Sequence, residues 1–242
     1  TIQIIASNSF QNCNNLKKVT FLSDSQLKII GKFAFANSGI KSIFIPSHVT
    51  LIDNCSFYSC KELEEVDFCE NSELVSIGSR VFTNSGIEKL SIPSSIKVLN
   101  EGWSCNTPNL IHITIVPSLN PNIDYYNDTL IIGKSNPNQS NFDSILFLKK
   151  DVRSVTIPSF IKYITSYSFC ESQLEYINFE EGSELILIGK VSFAYTSVRK
   201  IEIPSGVTEI HDFAFSDCSI EKIIFHDDSK LTKIGDSAFS CS

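Results

Sequence analysis

A phenylalanine that returns every 22 to 25 residues constrains the fold of this chain more than any other feature. It occurs in two runs, at Phe10, Phe35, Phe57 and Phe82, and then at Phe169, Phe193, Phe215 and Phe239. The residues before it also repeat, as in IIGKFAF at 29–35 and LIGKVSF at 187–193. One such unit buries about five apolar side chains at about 2 kcal/mol each, which cannot offset an ordering cost of about 1.5 kcal/mol per residue. A unit is therefore stable only when it is stacked on its neighbours.

Each unit also contains a short run in which apolar and polar residues alternate, the pattern of a half-buried strand. Longer units follow this run with an acidic, serine-containing loop, as in ENSEL at 70–74, and shorter units end it with Ile-Pro, as in FIPSHV at 44–49. Stacking places these runs side by side, so we predict a solenoid with a parallel sheet whose side chains point alternately into the core and outward. The residues that we expect to form a buried column are Phe35, Phe57, Phe82, Phe193 and Phe215.

The repeat resembles a known family. The segments IKSIFIPSHVTLIDNCSFYSC (40–60) and VRKIEIPSGVTEIHDFAFSDC (198–218) closely resemble BspA-like leucine-rich repeats. The acidic loops are most similar to those in surface families of mucosal parasites such as trichomonads. The resemblance implies a β-rich leucine-rich-repeat solenoid, a right-handed superhelix with the parallel sheet on its concave face and short strands, turns and short helical segments elsewhere. It also implies attachment to host cells, extracellular-matrix proteins or other microbes.

The repeat is interrupted once. Ser104 stands where phenylalanine is expected, with Trp103 one place early, and residues 117–151 are rich in Asn, Pro and Ser. This segment predicts an irregular island of two or three strands, a departure that the family often shows with an NPN sequence. We therefore predict one solenoid fragment over residues 1–242, with a first repeat block at 1–116, the inserted island at 117–151 and a second block at 152–242.

The composition of the chain excludes some classes of function. The 242 residues include 20 Lys and Arg against 27 Asp and Glu, a net charge of −7, which excludes binding to nucleic acid or anionic membranes by bulk positive charge. No run approaches the roughly 20 apolar residues of a membrane-spanning helix, and the N-terminus lacks a signal-peptide pattern. Because the chain contains no Met, even at position 1, we expect it to be part of a longer polypeptide that carries its anchor elsewhere.

Motifs for catalysis and cofactor binding are weak, and we predict no catalytic, cofactor-binding or metal-binding residue. The GKS sequence at 133–135 resembles the end of a phosphate-binding loop, but Asp128 stands where the first glycine of that loop is required. The acidic loops lie about two turns apart and lack an EF-hand pattern, which favours solvated turns over a row of calcium sites. The histidines occur in no hydrolase motif and are interpreted as incidental surface residues: His48, His112, His211 and His226.

The eight cysteines do not predict a disulfide framework. Cys13, Cys60 and Cys218 stand three residues after the repeated phenylalanine, where other units have serine or threonine. Such a position requires a small side chain with a weak hydrogen bond. Cys13 and Cys60 would lie about 10 Å apart, beyond the limit of about 7 Å between the Cα atoms of a disulfide. We predict buried thiols, and the absence of a CxxC sequence argues against a structural zinc site.

Outward positions of the predicted strands vary chemically from unit to unit, whereas the core positions repeat. A surface that mixes charged, aromatic and polar side chains is typical of protein binding, although a solvated sheet face has the same composition. The candidate protein-binding residues are Lys18, Phe44, Glu65, Asp67, Lys89, His112, Tyr176, Asn178, Lys200, Glu202 and Lys222.

The island supplies a competing contact through its aromatic side chains, because insertions are tolerated there. The candidate island contacts are Tyr125, Tyr126 and Phe142. Three glycosylation sequons mildly favour an extracellular protein, and their acceptors are Asn54, Asn127 and Asn138.

These features predict a protein-binding ectodomain at the cell surface or outside the cell, which mediates adhesion to host-cell or extracellular-matrix proteins. No cofactor, nucleic acid or direct membrane contact is expected for this fragment. Two alternatives remain. One is an intracellular leucine-rich-repeat scaffold, because eight unpaired cysteines fit a reducing compartment. The other is the non-catalytic repeat region of a larger enzyme.

Overall fold

The structure, a computed structural model, describes residues 2–119 and 121–242. They are arranged as stacked turns of short strands and tight bends, in two units, Thr1–Asn122 and Ile123–Ser242. The predicted class, a β-rich repeat solenoid with parallel sheets, is confirmed. Asn120, in the predicted island, lies outside the described residues. No helix in the described part of the chain could span a membrane.

The first unit contains strands of two lengths, which form two parallel sheets. In chain order the strands are β1 (Ile4–Ile5), β2 (Ile29–Ile30), β3 (Ser42–Ile45), β4 (Leu51–Ile52), β5 (Glu65–Phe68), β6 (Ser76–Ile77), β7 (Lys89–Ile92), β8 (Val98–Leu99) and β9 (His112–Ile115). The two-residue strands pair in the order β1-β2-β4-β6-β8, and the four-residue strands in the order β3-β5-β7-β9.

The second unit begins with a three-stranded antiparallel segment and continues as stacked turns. Its strands are β10 (Ile123–Tyr126), β11 (Leu130–Gly133), β12 (Ser144–Leu148), β13 (Ser154–Ile157), β14 (Tyr163–Ile164), β15 (Tyr176–Phe179), β16 (Leu187–Ile188), β17 (Lys200–Ile203), β18 (Glu209–Ile210), β19 (Lys222–Phe225) and β20 (Lys233–Ile234). One sheet has the order β10-β11-β12-β14-β16-β18-β20, and two smaller sheets pair β13 with β15 and β17 with β19.

Strands β10, β11 and β12 fall within the segment predicted as an island. They pair antiparallel, and β12 then pairs in parallel with β14, so this segment and the following turns share one sheet. Leu130, Ile132, Ile145 and Leu148 from β11 and β12 belong to the hydrophobic core of the second unit. The segment therefore supplies the first layer of that core.

The repeated phenylalanines stack on one another within each unit, as predicted. In the first unit, consecutive rings from Phe10 to Phe82 stack with centroids 5.2, 5.4 and 5.7 Å apart. In the second unit, rings from Phe169 to Phe239 stack at 4.6, 4.9 and 5.1 Å. All five phenylalanines predicted for the column are buried, but they form two stacks, one in each unit. Where the repeat loses its phenylalanine, the indole of Trp103 packs edge-on against Phe82 with centroids 6.4 Å apart.

The backbone around each phenylalanine forms an arc with two left-handed residues. These stand two residues before and two residues after the phenylalanine position. The earlier position holds Asn8, Phe33, Cys55, Arg80, Gly102, Tyr167, Val191, Phe213 and Ser237, and the later one holds Asn12, Asn37, Ser59, Asn84, Asn106, Glu171, Tyr195, Asp217 and Cys241.

This arc occupies the place where the resemblance implied short helical segments, which the described residues do not form. Its N–H groups alternate between two kinds of partner. The N–H of Phe35 donates to the Ser56 carbonyl in the next turn (2.8 Å), whereas the N–H of Ala36 donates to the Phe33 carbonyl in the same arc (3.1 Å). Left-handed residues interrupt the run of helical dihedrals that a helix requires, and half of the N–H groups bond between turns instead.

Candidate protein-binding face

The four-residue strands direct alternate side chains outward because the side-chain period of a strand is two. In β3, Ile43 and Ile45 are buried, while Ser42 and Phe44 are exposed. The same alternation recurs in β13 and β17. The core therefore selects apolar residues at every second position and leaves the intervening positions free to vary.

In the first unit, the candidate residues lie on neighbouring strands in one register. Lys18 bridges to Ser42, which pairs with Glu65. Glu65 in turn pairs with Lys89, and Lys89 with His112. Neighbouring strands lie about 4.8 Å apart, so these side chains form a continuous row.

A second row beside it contains Phe44, in register with Asp67. The Phe44 side chain is 55% exposed. An exposed aromatic ring offers apolar contact area, and the carboxylates and lysine beside it can discriminate between partners by charge. We call these residues of the first unit, Lys18, Phe44, Glu65, Asp67, Lys89 and His112, the β3–β9 face.

In the second unit, the candidate residues occupy the equivalent positions. Tyr176 and Asn178 lie on β15, Lys200 and Glu202 on β17, and Lys222 on β19. All five are exposed, with Tyr176 at 65%. Lys200 and Lys222 are direct neighbours, and like charges at such positions destabilise a sheet.

Ion pairs flank both groups of candidates. Lys17 contacts the Glu62 carboxylate at 2.7 Å, and this hydrogen bond lowers the pKa of Glu62. In the second unit, His226 Nε2 lies 3.1 Å from Glu202 Oε1. These groups are largely exposed, so the pairs position charges on the surface and add little to stability.

The structure also shows a feature that the sequence did not predict. Strands β15 and β17 are on consecutive turns but do not pair, and two adjoining cavities of about 630 and 490 Å³ lie between them. The sequence pattern of this region is the same as in the first unit, where β5 and β7 pair at two of their four positions. No periodicity signal distinguishes the two places.

The three candidate aromatic rings of the island pack against their own unit. Tyr126 and Phe142 contact the hydrophobic core, and Tyr126 packs edge-on against Phe160 with ring centroids 5.7 Å apart. Tyr125 is half-buried, and burial together with the Asp128 carboxylate raises the pKa of Tyr125 to about 12. Little of these rings is left for a partner.

The three sequon asparagines are exposed. Asn54 uses its Oδ1 to accept the N–H of Ser79 at 2.7 Å. Asn127 lies in the turn between β10 and β11 with φ of 49°, and Asn138 lies in the loop between β11 and β12.

At the shared position three residues after the phenylalanine, three side chains make the hydrogen bond that the sequence predicted, whereas the buried hydroxyls of Ser85 and Ser172 have no partner among the described residues. Cys13, predicted to be buried, is only partly buried. The thiol of Cys60 donates to the Phe35 carbonyl (3.0 Å), and the thiol of Cys218 donates to the Phe193 carbonyl (3.0 Å). Thr196, at the same position, donates its hydroxyl to the Phe193 carbonyl at 2.8 Å. Burial raises the pKa of both thiols, so they remain protonated donors.

The residues considered for other chemistry make structural contacts. Ser135 of the GKS sequence donates its hydroxyl to the Asp143 carboxylate at 2.6 Å and thereby closes the loop between β11 and β12. His48 contacts Glu73 at 3.1 Å, and His211 contacts Glu209 at 3.1 Å.

The profile of the BspA type leucine rich repeat region matches six copies of the repeat, over residues 1–120 and 164–242. The chain belongs to this family. No curated protein sequence matches it.

Solved structures share the fold. The pneumococcal vaccine antigen PcpA is 24% identical with a TM-score of 0.83, and the match covers 97% of this chain but 56% of PcpA. A leucine rich cell surface protein from Faecalibacterium prausnitzii is 19% identical, with a TM-score of 0.62 and coverage of 100% and 80%. A leucine-rich repeat protein from Bacteroides ovatus is 20% identical, with a TM-score of 0.52 and coverage of 99% and 68%. At these identities the likeness is one of fold.

Proposed function

We propose that this BspA-type repeat protein acts by binding another protein through the β3–β9 face, and that it serves as an adhesive ectodomain at the cell surface. The observation that carries the proposal is the contrast between the inward and the outward positions of the strands. Inward positions hold the same few apolar residues in every turn, whereas outward positions in one register change from Lys18 to Glu65, Lys89 and His112. Repeat folds use such variable, aligned positions for recognition.

The partner class that this face suits is a protein of the host-cell surface or extracellular matrix. Exposed Phe44 offers an apolar anchor, and the mixed charges around it favour one partner over others. The description of a structural neighbour as a cell surface protein supports the same location for this chain. We further propose that the chain acts without catalysis.

The β3–β9 face is a better candidate than the island. Tyr126 and Phe142 contribute to the core of their own unit, so a partner that bound them would have to displace native packing. Asn127 is exposed and follows Tyr126 in the chain, so a glycan on this asparagine would shield that ring further.

A second candidate function is an intracellular scaffold. The observation in its favour is that Cys60 and Cys218 are protonated thiols held by carbonyl groups, which suits a reducing compartment. The remaining alternative, the repeat region of a larger enzyme, would leave the same face available for binding.

Capture from intact cells tests the proposed function. The biotinylated chain is incubated with host cells, with cells whose surface proteins have been removed by protease, and with host cytosol. We expect binding to intact cells that protease treatment abolishes. Binding only to a cytosolic protein would favour the scaffold, and binding that survives protease treatment would contradict a protein ligand.

A further inference from the structure

A row of charged side chains lies next to the β3–β9 face, one position before the first outward residue of each turn. We call it the leading row, and its members in the first unit are Lys17, Lys41, Glu64 and Glu88. They are direct neighbours in the stack, because Lys41 donates its N–H to the Lys17 carbonyl (3.2 Å). Glu64 likewise donates to the Lys41 carbonyl, and Glu88 to the Glu64 carbonyl, both at 2.8 Å. All four side chains are exposed.

The leading row separates its charges into a basic end and an acidic end. Its two lysines are neighbours, and so are its two glutamates. Like charges on adjacent strands repel each other, and an alternating order would replace both repulsive contacts with attractive ones. Lys17 instead contacts Glu62, outside the row, at 2.7 Å. The separation of charges therefore does not serve the stability of the stack.

The same row alternates in the second unit. Its members there are Arg153, Glu175, Arg199 and Glu221. Arg153 Nη1 lies 2.7 Å from Glu175 Oε1, and Arg199 Nη1 lies 3.4 Å from Glu221 Oε1. The repeat therefore permits an alternating order, and the separation of charges is a property of the first unit.

The leading row belongs to the same surface as the outward side chains of the strands. In the second unit, Glu175 and Arg199 of this row line one cavity together with the outward residues Tyr176 and Lys200. Because the turns repeat, the leading row of the first unit adjoins the β3–β9 face in the same way. A partner that binds this face therefore also meets the leading row.

Other side chains of the β3–β9 face extend the separation of charges. Lys18 adjoins the basic end, and Glu65 and Asp67 adjoin the acidic end, where Lys89 offsets part of the negative charge. Exposed Phe44 lies on β3, in register with Asp67 on β5, at the junction of the two ends. Along the stack, the surface thus offers a basic end, an aromatic ring and an acidic end.

An α-helix that lies across the strands matches the spacing of this surface. Neighbouring strands are about 4.8 Å apart, so the four members of the leading row span about 14 Å. One face of a helix presents residues i, i+4, i+7 and i+11, which span about 16 Å at a rise of 1.5 Å per residue. A helix therefore places one side chain over each turn. An extended segment has its same-side residues about 6.8 Å apart and loses register with the turns.

We propose that this surface binds a helix of a protein partner, with carboxylates of the helix over Lys17 and Lys41 and basic side chains over Glu64 and Glu88. This inference rests on the proposed function and names the secondary structure and charge order of its ligand. An apolar side chain in the middle of the helix contacts Phe44. The complementary charges fix the direction of the helix and select the partner.

Labelled helical peptides test the proposal on the full chain. Both probes are alanine-based, are held helical by a staple on the opposite face, and carry a leucine near the middle. Each has two glutamates and two lysines at positions i, i+4, i+7 and i+11. The segregated peptide has both glutamates before both lysines, and the alternating peptide interleaves them. At low ionic strength, we expect fluorescence anisotropy to show that the segregated peptide binds at least about fivefold more tightly.

An exchange of two charges locates the site. Lys41→Glu combined with Glu64→Lys gives the first unit an alternating row at the same net charge. This variant should prefer the alternating peptide, and it should melt no lower than wild type, because two like-charge contacts are removed. The matched control, Lys61→Glu combined with Glu70→Lys, exchanges charges at exposed positions outside the leading row and should keep the wild-type preference.

Three results with the wild-type chain would overturn the proposal: no binding of the segregated peptide, equal binding of the two peptides, or a preference that high ionic strength leaves unchanged. A wild-type preference in the exchange variant, or a lost preference in the control, would also overturn it. Failure here leaves the proposed function standing if the wild-type chain still captures a host-surface protein. Conversely, peptide recognition without such capture would count against the proposed function alone.

Discussion

Phe57 shows how strongly one side chain can depend on its neighbours in the stack. It is fully buried between the rings of Phe35 and Phe82, with centroids 5.4 and 5.7 Å away. We expect Phe57→Ala to lower the free energy of unfolding by about 3–5 kcal/mol, because it removes a buried ring and leaves a cavity. Urea denaturation measures this change. Phe44→Ala, at an exposed position, should change stability by less than about 0.5 kcal/mol. Equal melting of Phe57→Ala and wild type would show that the register is wrong.

Asp143 makes stability depend on pH. Burial raises the pKa of this carboxyl, but hydrogen bonds from Ser135, Gln139 and Ser144 outweigh burial, and the net shift is downward. A group whose pKa is lower in the folded state stabilises the fold above its unfolded pKa, here near 3.8, and that contribution is lost as the pH falls through the folded pKa.

We therefore expect the second unit to lose stability on acidification from about pH 5 to about pH 2, and Asp143→Asn to lose less over the same range. Thermal melting monitored across that range measures the difference. Identical pH profiles for the variant and wild type would contradict the role assigned to this carboxylate.

Residue patterns predicted some of these roles and not others. The interchange of cysteine, serine and threonine at one position predicted a small hydrogen-bonding side chain, and Cys60 and Cys218 have that role. The role of Asp143 could not be predicted, because its partner Ser135 is eight residues away across a loop without periodicity.

Among the elements of the fold, the arc around the phenylalanine has the most unusual backbone. Its left-handed positions often hold asparagine, which tolerates such dihedrals, but Val191 has φ of 56°. A left-handed backbone costs a branched residue about 1–2 kcal/mol.

We expect Val191→Asn to raise the free energy of unfolding by about 1 kcal/mol, since asparagine relieves this strain. The reciprocal change Asn37→Val, at a left-handed position with φ of 56°, should lower it by a similar amount. Chemical denaturation of both variants measures the two changes. A loss of stability in Val191→Asn together with no effect of Asn37→Val would refute the explanation.

The strands were predictable to different degrees. Four-residue strands such as β3 have an alternating pattern that identifies them and their outward side. Two-residue strands such as β4 are too short to show any period, so the second sheet could not be predicted. The missing pairing between β15 and β17 could not be predicted either, because the residues there fit the same repeat as those of β5 and β7, which pair in part.

At the scale of the whole molecule, the repeat determines the architecture but not the ligand. Recurrence of one pattern in most turns was enough to predict the family and the stacked fold, because stacked turns bury equivalent side chains in a shared core. Outward residues escape that constraint, so the core does not determine which side chains stand there. Binding by the β3–β9 face is therefore the central claim that requires a measurement.

The direct measurement is the amount of host-surface protein captured by a charge-reversed face. The variant combines Glu65→Lys, Asp67→Lys and Lys89→Glu, and the control combines the same changes of charge at exposed positions elsewhere in the first unit, Asp24→Lys, Glu70→Lys and Lys61→Glu.

Both proteins should melt like wild type, because all six side chains lie outside the core. We expect the face variant to capture at least about tenfold less protein from a biotinylated surface extract, and the control to capture as much as wild type. Undiminished capture by the face variant, or an equal loss in the control, would contradict the account.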